Sequence, residues 1–325
     1  MKRFNRGFFR SLVSITVALV LIGWAGSVES QPKYPTRTIE IIVPFTAGGG
    51  VDLTARLTAS YMSKKWGVQV NVVNKPGGNT VPANLELYRA EPDGYTLYEE
   101  ASTVCFLAAR KLPFDIMDRT FISITNIGPQ IMYVPSSSPY KTLKDVAVAA
   151  KSDPGNFTWA SRGGPDPSDY QVIQFLKEAG VDYRKTKPIA SQGASQGVIM
   201  VAGGHAMLGS GSGTSALPAL NAGTLRALSV TGSERFAKLP DVPTAAEAGY
   251  PKATVDNWFG VVGPPKLPAY VVSIWEEALQ KMLKDPEYIT KLENIWRVPF
   301  YHNSRKMKEI VIETTAEVRK LWGSP

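Results

Sequence analysis

Three short segments combine glycine with hydroxyl and amide side chains: Thr46-Ala47-Gly48-Gly49-Gly50-Val51-Asp52, Pro76-Gly77-Gly78-Asn79-Thr80, and Ser161-Arg162-Gly163-Gly164-Pro165-Asp166-Pro167-Ser168. A fourth, Gly209-Ser210-Gly211-Ser212-Gly213, has a similar composition. Glycine lets backbone approach a ligand closely, and a helix opening after such a loop offers unpaired N–H groups with partial positive charge. A carboxylate or a phosphate is the ligand chemistry that suits them. Turn geometry is the simpler account of any one loop, since glycine after a strand is common. The repetition is what favours a shared cleft.

The nucleotide versions of this chemistry fail on spacing. Gly48-Gly49-Gly50-Val51-Asp52-Leu53 lacks the third glycine of G-x-G-x-x-G, and no G-K-[ST] occurs anywhere. A covalent alternative is Gly193-Ala194-Ser195-Gln196-Gly197, which matches the G-x-S-x-G nucleophile elbow and is followed in chain order by Asp241 or Asp256 and then His302. Such a set would make a secreted serine esterase. Against it, Arg184-Lys185-Thr186-Lys187-Pro188 is too polar for the buried strand that precedes an elbow. The other histidine, His205, reads as a strand-end residue. With 2 His and 1 Cys, neither an intramolecular disulfide nor a Cys/His zinc site is expected, and Cys105 reads as a small buried hydrophobe. No catalytic residue, metal or cofactor is assigned.

Each loop needs a strand before it and a helix after it. Thr38 to Phe45 is a β-branched run ending at a proline, and after Asp52 the residues Leu53, Leu57 and Tyr61, less regularly Met62 and Trp66, recur at helical spacing. Asp52 is then an N-cap or first-turn acid. Val68 to Val73 alternates as a second strand, Pro82 to Ala90 reads as a helix, and Tyr95 to Tyr98 as a third strand. Strands are expected again at 121–127, 131–134, 157–161, 225–230 and 257–262. Thr142-Leu143-Lys144-Asp145 and Ser168-Asp169-Tyr170-Gln171 resemble capping boxes opening helices to about Ser152 and Gly180, and Gly223 stops a helix from Thr214 to Ala222. Thr244 to Ala248 reads as a short capped helix. The tail reads as all helix: Pro268 to Leu283, Pro286 to Trp296 and Ser304 to Leu321. This alternation predicts parallel βαβ units in both portions of the chain.

The 325 residues, 44% hydrophobic and 20% charged, can build packed cores and exclude a disordered chain. Lys2, Arg3, Arg6 and Arg10 precede an uncharged apolar run from Leu12 to Ala25, shorter than the roughly 20 residues of a membrane span. Ala25-Gly26-Ser27 follows as a cleavage site, with Val28-Glu29-Ser30 a second, so residues 1–30 are expected to be a cleaved signal peptide rather than a retained anchor. Their loss lowers the net charge from +8 to +5, because four basic groups and Glu29 leave together. No run of five or six basic residues occurs, which argues against nucleic acid.

Tyr34-Pro35, Ile39 to Phe45, Ala47 to Asp52, Asn74 to Asn79, Pro92 to Leu97, Ala222 to Leu228 and Leu239 to Gly249 together resemble, in order and spacing, the solute receptors of tripartite tricarboxylate transporters, also called Bug receptors. The resemblance covers nearly the whole mature chain. It implies an α/β, two-lobed periplasmic binding protein of type II, the Venus-flytrap fold, with a hinge and a cleft between lobes. The lobes would be 31–130 plus 251–325, and 131–250. It implies capture of a small organic carboxylate for membrane subunits of the transporter, without catalysis, by a monomer that does not bind nucleic acid. A ligand sensor feeding a membrane kinase is the related alternative.

Carried onto this sequence, the implied ligand-binding residues are Thr46, Ala47, Gly48, Gly49, Gly50 and Asp52 in the first loop, and Gly77, Gly78, Asn79 and Thr80 in the second. Ser102 follows the third strand. Ser161, Arg162, Gly163 and Ser168 come from the third loop, and Gly209, Ser210 and Ser212 from the fourth. Three departures from the family pattern bear on specificity. The second loop is one residue shorter than usual and is followed by Val81-Pro82. Gly209 to Ser212 stands where many relatives carry an acid, which disfavours an amino-acid ligand. Glu99 and Glu100 occupy positions that relatives fill with small or apolar residues, while Arg162 offers a planar fork of donors to a carboxylate.

Overall fold

The run IEIIV forms β1 (Ile39–Val43), buried at every position but Glu40, as a strand covered on both faces requires. In the computed structural model of the chain, residues 33–323 are described, except Gln192. The expected signal peptide lies outside them. β1 pairs in parallel with β2 (Val70–Asn74) on one side and β3 (Thr96–Ala101) on the other. β10 (Trp258–Gly263) runs antiparallel to both β3 and β4 (Thr120–Ile127), and β11 (Val298–Asn303) closes the far edge antiparallel to β4. The sheet order is β11-β4-β10-β3-β1-β2. α1 (Gly50–Trp66) and α2 (Val81–Arg89) are the crossovers of the parallel part. The short α3 (Val104–Leu107) follows β3 and buries Cys105 completely in the core of this half.

The second half is built on β5 (Gln130–Pro135), antiparallel to β8 (Gly209–Ser212) and to β9 (Leu225–Val230). β6 (Thr158–Ser161) and β7 (Lys187–Ala190) form a parallel pair that joins through a bridge from Trp159 to Leu208. Alternate residues of β5 feed two cores, Met132 and Val134 one, Ile131 and Tyr133 the other. α4 (Leu143–Ser152), α5 (Pro167–Glu178), α6 (Ala194–Ala202) and α7 (Gly213–Asn221) cover its faces. The expected parallel grammar therefore holds in the second half only for β6, α5 and β7, while β5, β8 and β9 pair antiparallel.

Local corrections follow from tertiary contacts. Gly209 to Ser212, expected as a loop, is strand β8. A Cβ at Gly209 would lie 2.4 Å from the Tyr133 ring, so glycine here admits an aromatic side chain rather than a turn. The tail is not all helix: α8 (Ala269–Met282) and α9 (Pro286–Asn294) are followed by β11 before α10 (Ser304–Trp322). The cap of α5 is Asp166, whose carboxylate accepts from the Ser168 N–H, with Pro167 at the first helical position. Gln171, expected to complete a capping box, instead accepts from the Ser210 hydroxyl and donates to the Ala253 carbonyl. Thr244 and Glu247 exchange the bonds of a capping box around a turn that does not extend into a helix.

Residues from Pro35 onward form one compact unit. Within it the chain passes between the two sheets at 128–129 and again at 231–257. Arg297, fully buried beside β11, ties the passages together. Its Nε donates to Asn126 Oδ1 at 2.6 Å, its Nη1 to Asn257 Oδ1 at 3.0 Å, and its Nη2 to the Asn257 carbonyl at 2.7 Å. Asn257 in turn donates to Gln130 Oε1, and Gln130 donates to the hydroxyls of Ser168 and Ser210. A buried polar chain thus runs from the passages into the second half.

Candidate functional site

The carboxyl ends of β1, β2, β3, β6, β7 and β8 open on one cavity of about 610 Å³. That is within the range of a small-molecule site, and the placement is the usual one for ligands of open α/β sheets. Pro44 to Thr46 and Gly49 to Val51 line it after β1, and Pro76 to Thr80 after β2. Ser102, Thr103 and Arg110 come from the segment after β3. The facing wall holds Arg162 and Pro165 to Ser168 after β6, Gly193 to Ser195 after Ser191, and Ser212. Gln130 and Asn257, from the passages between sheets, complete it with Phe259.

Most helices that start at this cavity lack a side-chain cap; α5, capped by Asp166, is the exception on the lining, and α8, starting at Pro268 away from it, is also uncapped. α1, α2, α3, α6 and α7 begin at Gly49, Thr80, Thr103, Gly193 and Ser212, all on the lining, and none has a side-chain cap. α4, α9 and α10 have the side chains of Thr142, Asp285 and Asn303 as caps, and all three lie elsewhere. A helix start without a cap leaves first-turn N–H groups for another acceptor, and the helix dipole makes an anion the favoured one. At the second loop the wall is strained as well: Asn79 and Thr80 adopt φ of 50° and 67°. A β-branched residue in that region is a rare conformation of the kind that gathers at functional sites.

Of the residues implied by the sequence, Thr46, Gly49, Gly50, Gly77 to Thr80, Ser102, Arg162, Ser168 and Ser212 border the cavity. Ala47, Gly48, Asp52, Ser161, Gly163, Gly209 and Ser210 do not. Several of these hold the lining in place. Asp52, in the first turn of α1, accepts from the Gly48 N–H at 2.9 Å, Arg56 Nε at 3.0 Å and Asn74 Nδ2 at 2.8 Å. Burial pushes its carboxyl up, but the bonds from Arg56, Gly48 and Asn74 outweigh it and the pKa lies below the ordinary value. Asp169, in the first turn of α5, does the same for the third loop, accepting from Ser161 Oγ at 2.7 Å and from the N–H groups of Arg162 and Gly164 at 2.9 and 3.2 Å. Here burial, reinforced by the nearby Asp166, prevails and raises the pKa to about 6. Ser210 belongs to the polar chain of Gln130 and Gln171.

Sequence reasoning missed Arg110, Gln130 and Asn257, because each reaches the cavity only through the packing of distant elements. It also missed α6, whose start supplies Ser195. That serine borders the cavity, but neither His302 nor His205 does. His302 stands on edge strand β11, where its ring packs edge-on against Phe300 at 4.5 Å. The elbow is therefore not assembled into a nucleophile and base. Glu99 and Glu100 are buried in β3 away from the cavity. Glu100 pairs with Arg119, while burial raises the Glu99 pKa well above its ordinary value and the Arg297 charge only partly offsets this.

A family model described as the tripartite tricarboxylate transporter family receptor matches residues 54–322. The chain belongs to this receptor family. The receptor is 31% identical to a protein of Cupriavidus necator described as a UPF0065 protein in the gbd 5' region, over 95% of this chain and 94% of that one. Among solved structures it is similar to one described as a periplasmic transporter, at 28% identity and a TM-score of 0.83, over 89% of this chain and 97% of that one. It is also similar to Rpa4515 of R. palustris with adipate, at 25% identity and a TM-score of 0.83, over 90% of this chain and 99% of that one. These likenesses place the receptor among two-lobed type II binding proteins. Its cavity between the two sheets is then the inter-lobe cleft. No described helix of the receptor is long and apolar enough to cross a membrane.

Proposed function

We propose that this protein is a periplasmic receptor that closes its two lobes on a small organic carboxylate and delivers it, unchanged, to the membrane subunits of a tripartite tricarboxylate-type transporter. The observation that carries this reading is the set of uncapped helix starts gathered on one cavity, in a chain of the receptor family. Backbone N–H groups of Thr46, Gly49, Gly50 and Gly77 to Asn79 take one carboxylate, and the opposite wall, with Arg162, Ser168 and Ser212, reads the remainder. Residues 1–30 direct export and are then cleaved, and the lobes divide as 31–130 plus 251–325, and 131–250. Adipate in a structural relative of the same fold supports a carboxylate ligand.

A thermal-shift screen of the protein, refolded to strip carried-over ligand, tests this against mono-, di-, tri- and aromatic carboxylates with the matching amides. A ligand that binds only the folded state stabilises it by about 2.7 kcal/mol at a hundredfold excess over Kd. A rise in Tm that requires the carboxylate is expected. Equal shifts with amides, or none across the panel, would overturn the carboxylate assignment.

A further inference from the structure

We propose that Arg110 is the counter-ion for a second acidic group of the ligand, so that the cleft selects diacids over monoacids; the inference rests on the carboxylate-receptor reading above. The charged side chains on the cavity wall are Arg110, Arg162 and Asp166. Two of them answer each other: Arg162 Nη1 lies 3.3 Å from Asp166 Oδ2, and its Nη2 lies 3.4 Å from the Ser168 hydroxyl. Arg110 has no such partner among the described residues, and its Nε is buried without a hydrogen bond. One positive charge on the wall is left unanswered.

The position of that charge is defined. Arg110 follows α3 in the first half, yet its guanidinium crosses to the third loop, where a Cβ added at Gly164 would lie 2.9 Å from Nη2. Gly164, at a φ of 148°, exposes bare backbone there and its N–H is already taken by Asp169. The fork is therefore held against the second half by contact, with no acceptor for its N–H groups among the described residues. A buried guanidinium N–H left unpaired is costly, and a carboxylate is the acceptor that satisfies two donors of the fork at once. The uncapped starts of α1 and α2 belong to a different wall. A ligand that satisfies both must carry an acid at each end.

The test is calorimetric titration of the full protein with straight-chain α,ω-dicarboxylates of four to eight carbons, adipate among them, each beside its own monoamide. The wild type is expected to prefer a diacid to its monoamide by about 10- to 100-fold. In Arg110→Gln the preference should fall to within about threefold, and Arg110→Lys should fall between. Gly164→Ala, whose added methyl displaces the guanidinium without altering its charge, should also lower the preference and serves if Arg110→Gln does not fold. Full preference retained in Arg110→Gln or, failing that variant, in Gly164→Ala would overturn the proposal. So would a wild type that binds diacids and monoamides equally, which leaves the carboxylate reading standing; no binding of any acid overturns both.

Discussion

Asp52 and Asp169 do the same job with opposite electrostatics, and this gives them opposite pH signatures. The Asp52 carboxylate is stabilised as the anion, whereas Asp169, with a pKa near 6 in the folded protein, binds its proton more tightly than in the unfolded chain. Between the unfolded carboxylate pKa of about 4 and pH 6 the unfolded state loses that proton first, so this residue makes stability fall as pH rises. Urea midpoints measured from pH 4 to 7 should show that decline in the wild type and a flatter profile in Asp169→Asn; parallel profiles would refute the assignment. Glu99 carries the same sign further. Burial favours its protonated form, with both carboxyl oxygens lacking hydrogen-bond partners, so its contribution weakens once pH exceeds the unfolded value. Glu99→Gln should melt like the wild type near pH 5 and at a higher temperature at pH 8.

At the scale of elements, β8 depends on what packs over it. Gly209→Ala pushes a methyl into the Tyr133 ring and should cost about 1–3 kcal/mol in denaturant unfolding. Combined with Tyr133→Leu the loss should be smaller than the sum of the two single losses, because the ring is the obstacle. The same residues show where sequence stops being informative. Gly209 to Ser212 has the composition of a loop, and nothing local reveals the aromatic ring that makes glycine necessary. Val298 to Asn303 contains a proline and pairs with β4 more than a hundred and seventy residues away, so its strand character belongs to the sheet edge. By contrast α4 was legible to its cap, since the Thr142 and Asp145 pair is a local device. The candidate site divides along the same line. Loops that follow strands could be found from glycine and hydroxyl spacing, whereas Gln130, Asn257 and Arg110 could not, because convergence is a property of the assembled fold.

At the scale of the whole molecule, Arg297 holds both passages between lobes through neutral acceptors on Asn126 and Asn257. Burial lowers its pKa to about 9, still well above neutrality, so a buried cation sits at the pivot. Truncation by Arg297→Ala strands those acceptors, and chemical unfolding should record a loss on the order of 3–5 kcal/mol. Because Asn257 and Gln130 line the cleft, the same variant should also weaken carboxylate binding; unchanged affinity would show that the pivot and the cleft are independent. Solution scattering should register lobe closure as a smaller radius of gyration on adding a diacid that binds, and no change with its diamide.

The burial of Cys105 has a practical side. The chain has 1 cysteine, fully enclosed, and burial lifts its thiol to about 12, so it is unreactive toward thiol reagents at neutral pH. A cysteine introduced at Ile199, which is 69% exposed on the helix that begins at the cleft, would be the single addressable position. An environment-sensitive dye attached there would turn lobe closure into an optical signal, making the native sequence, without removal of any residue, a ready scaffold for a reagentless acid sensor.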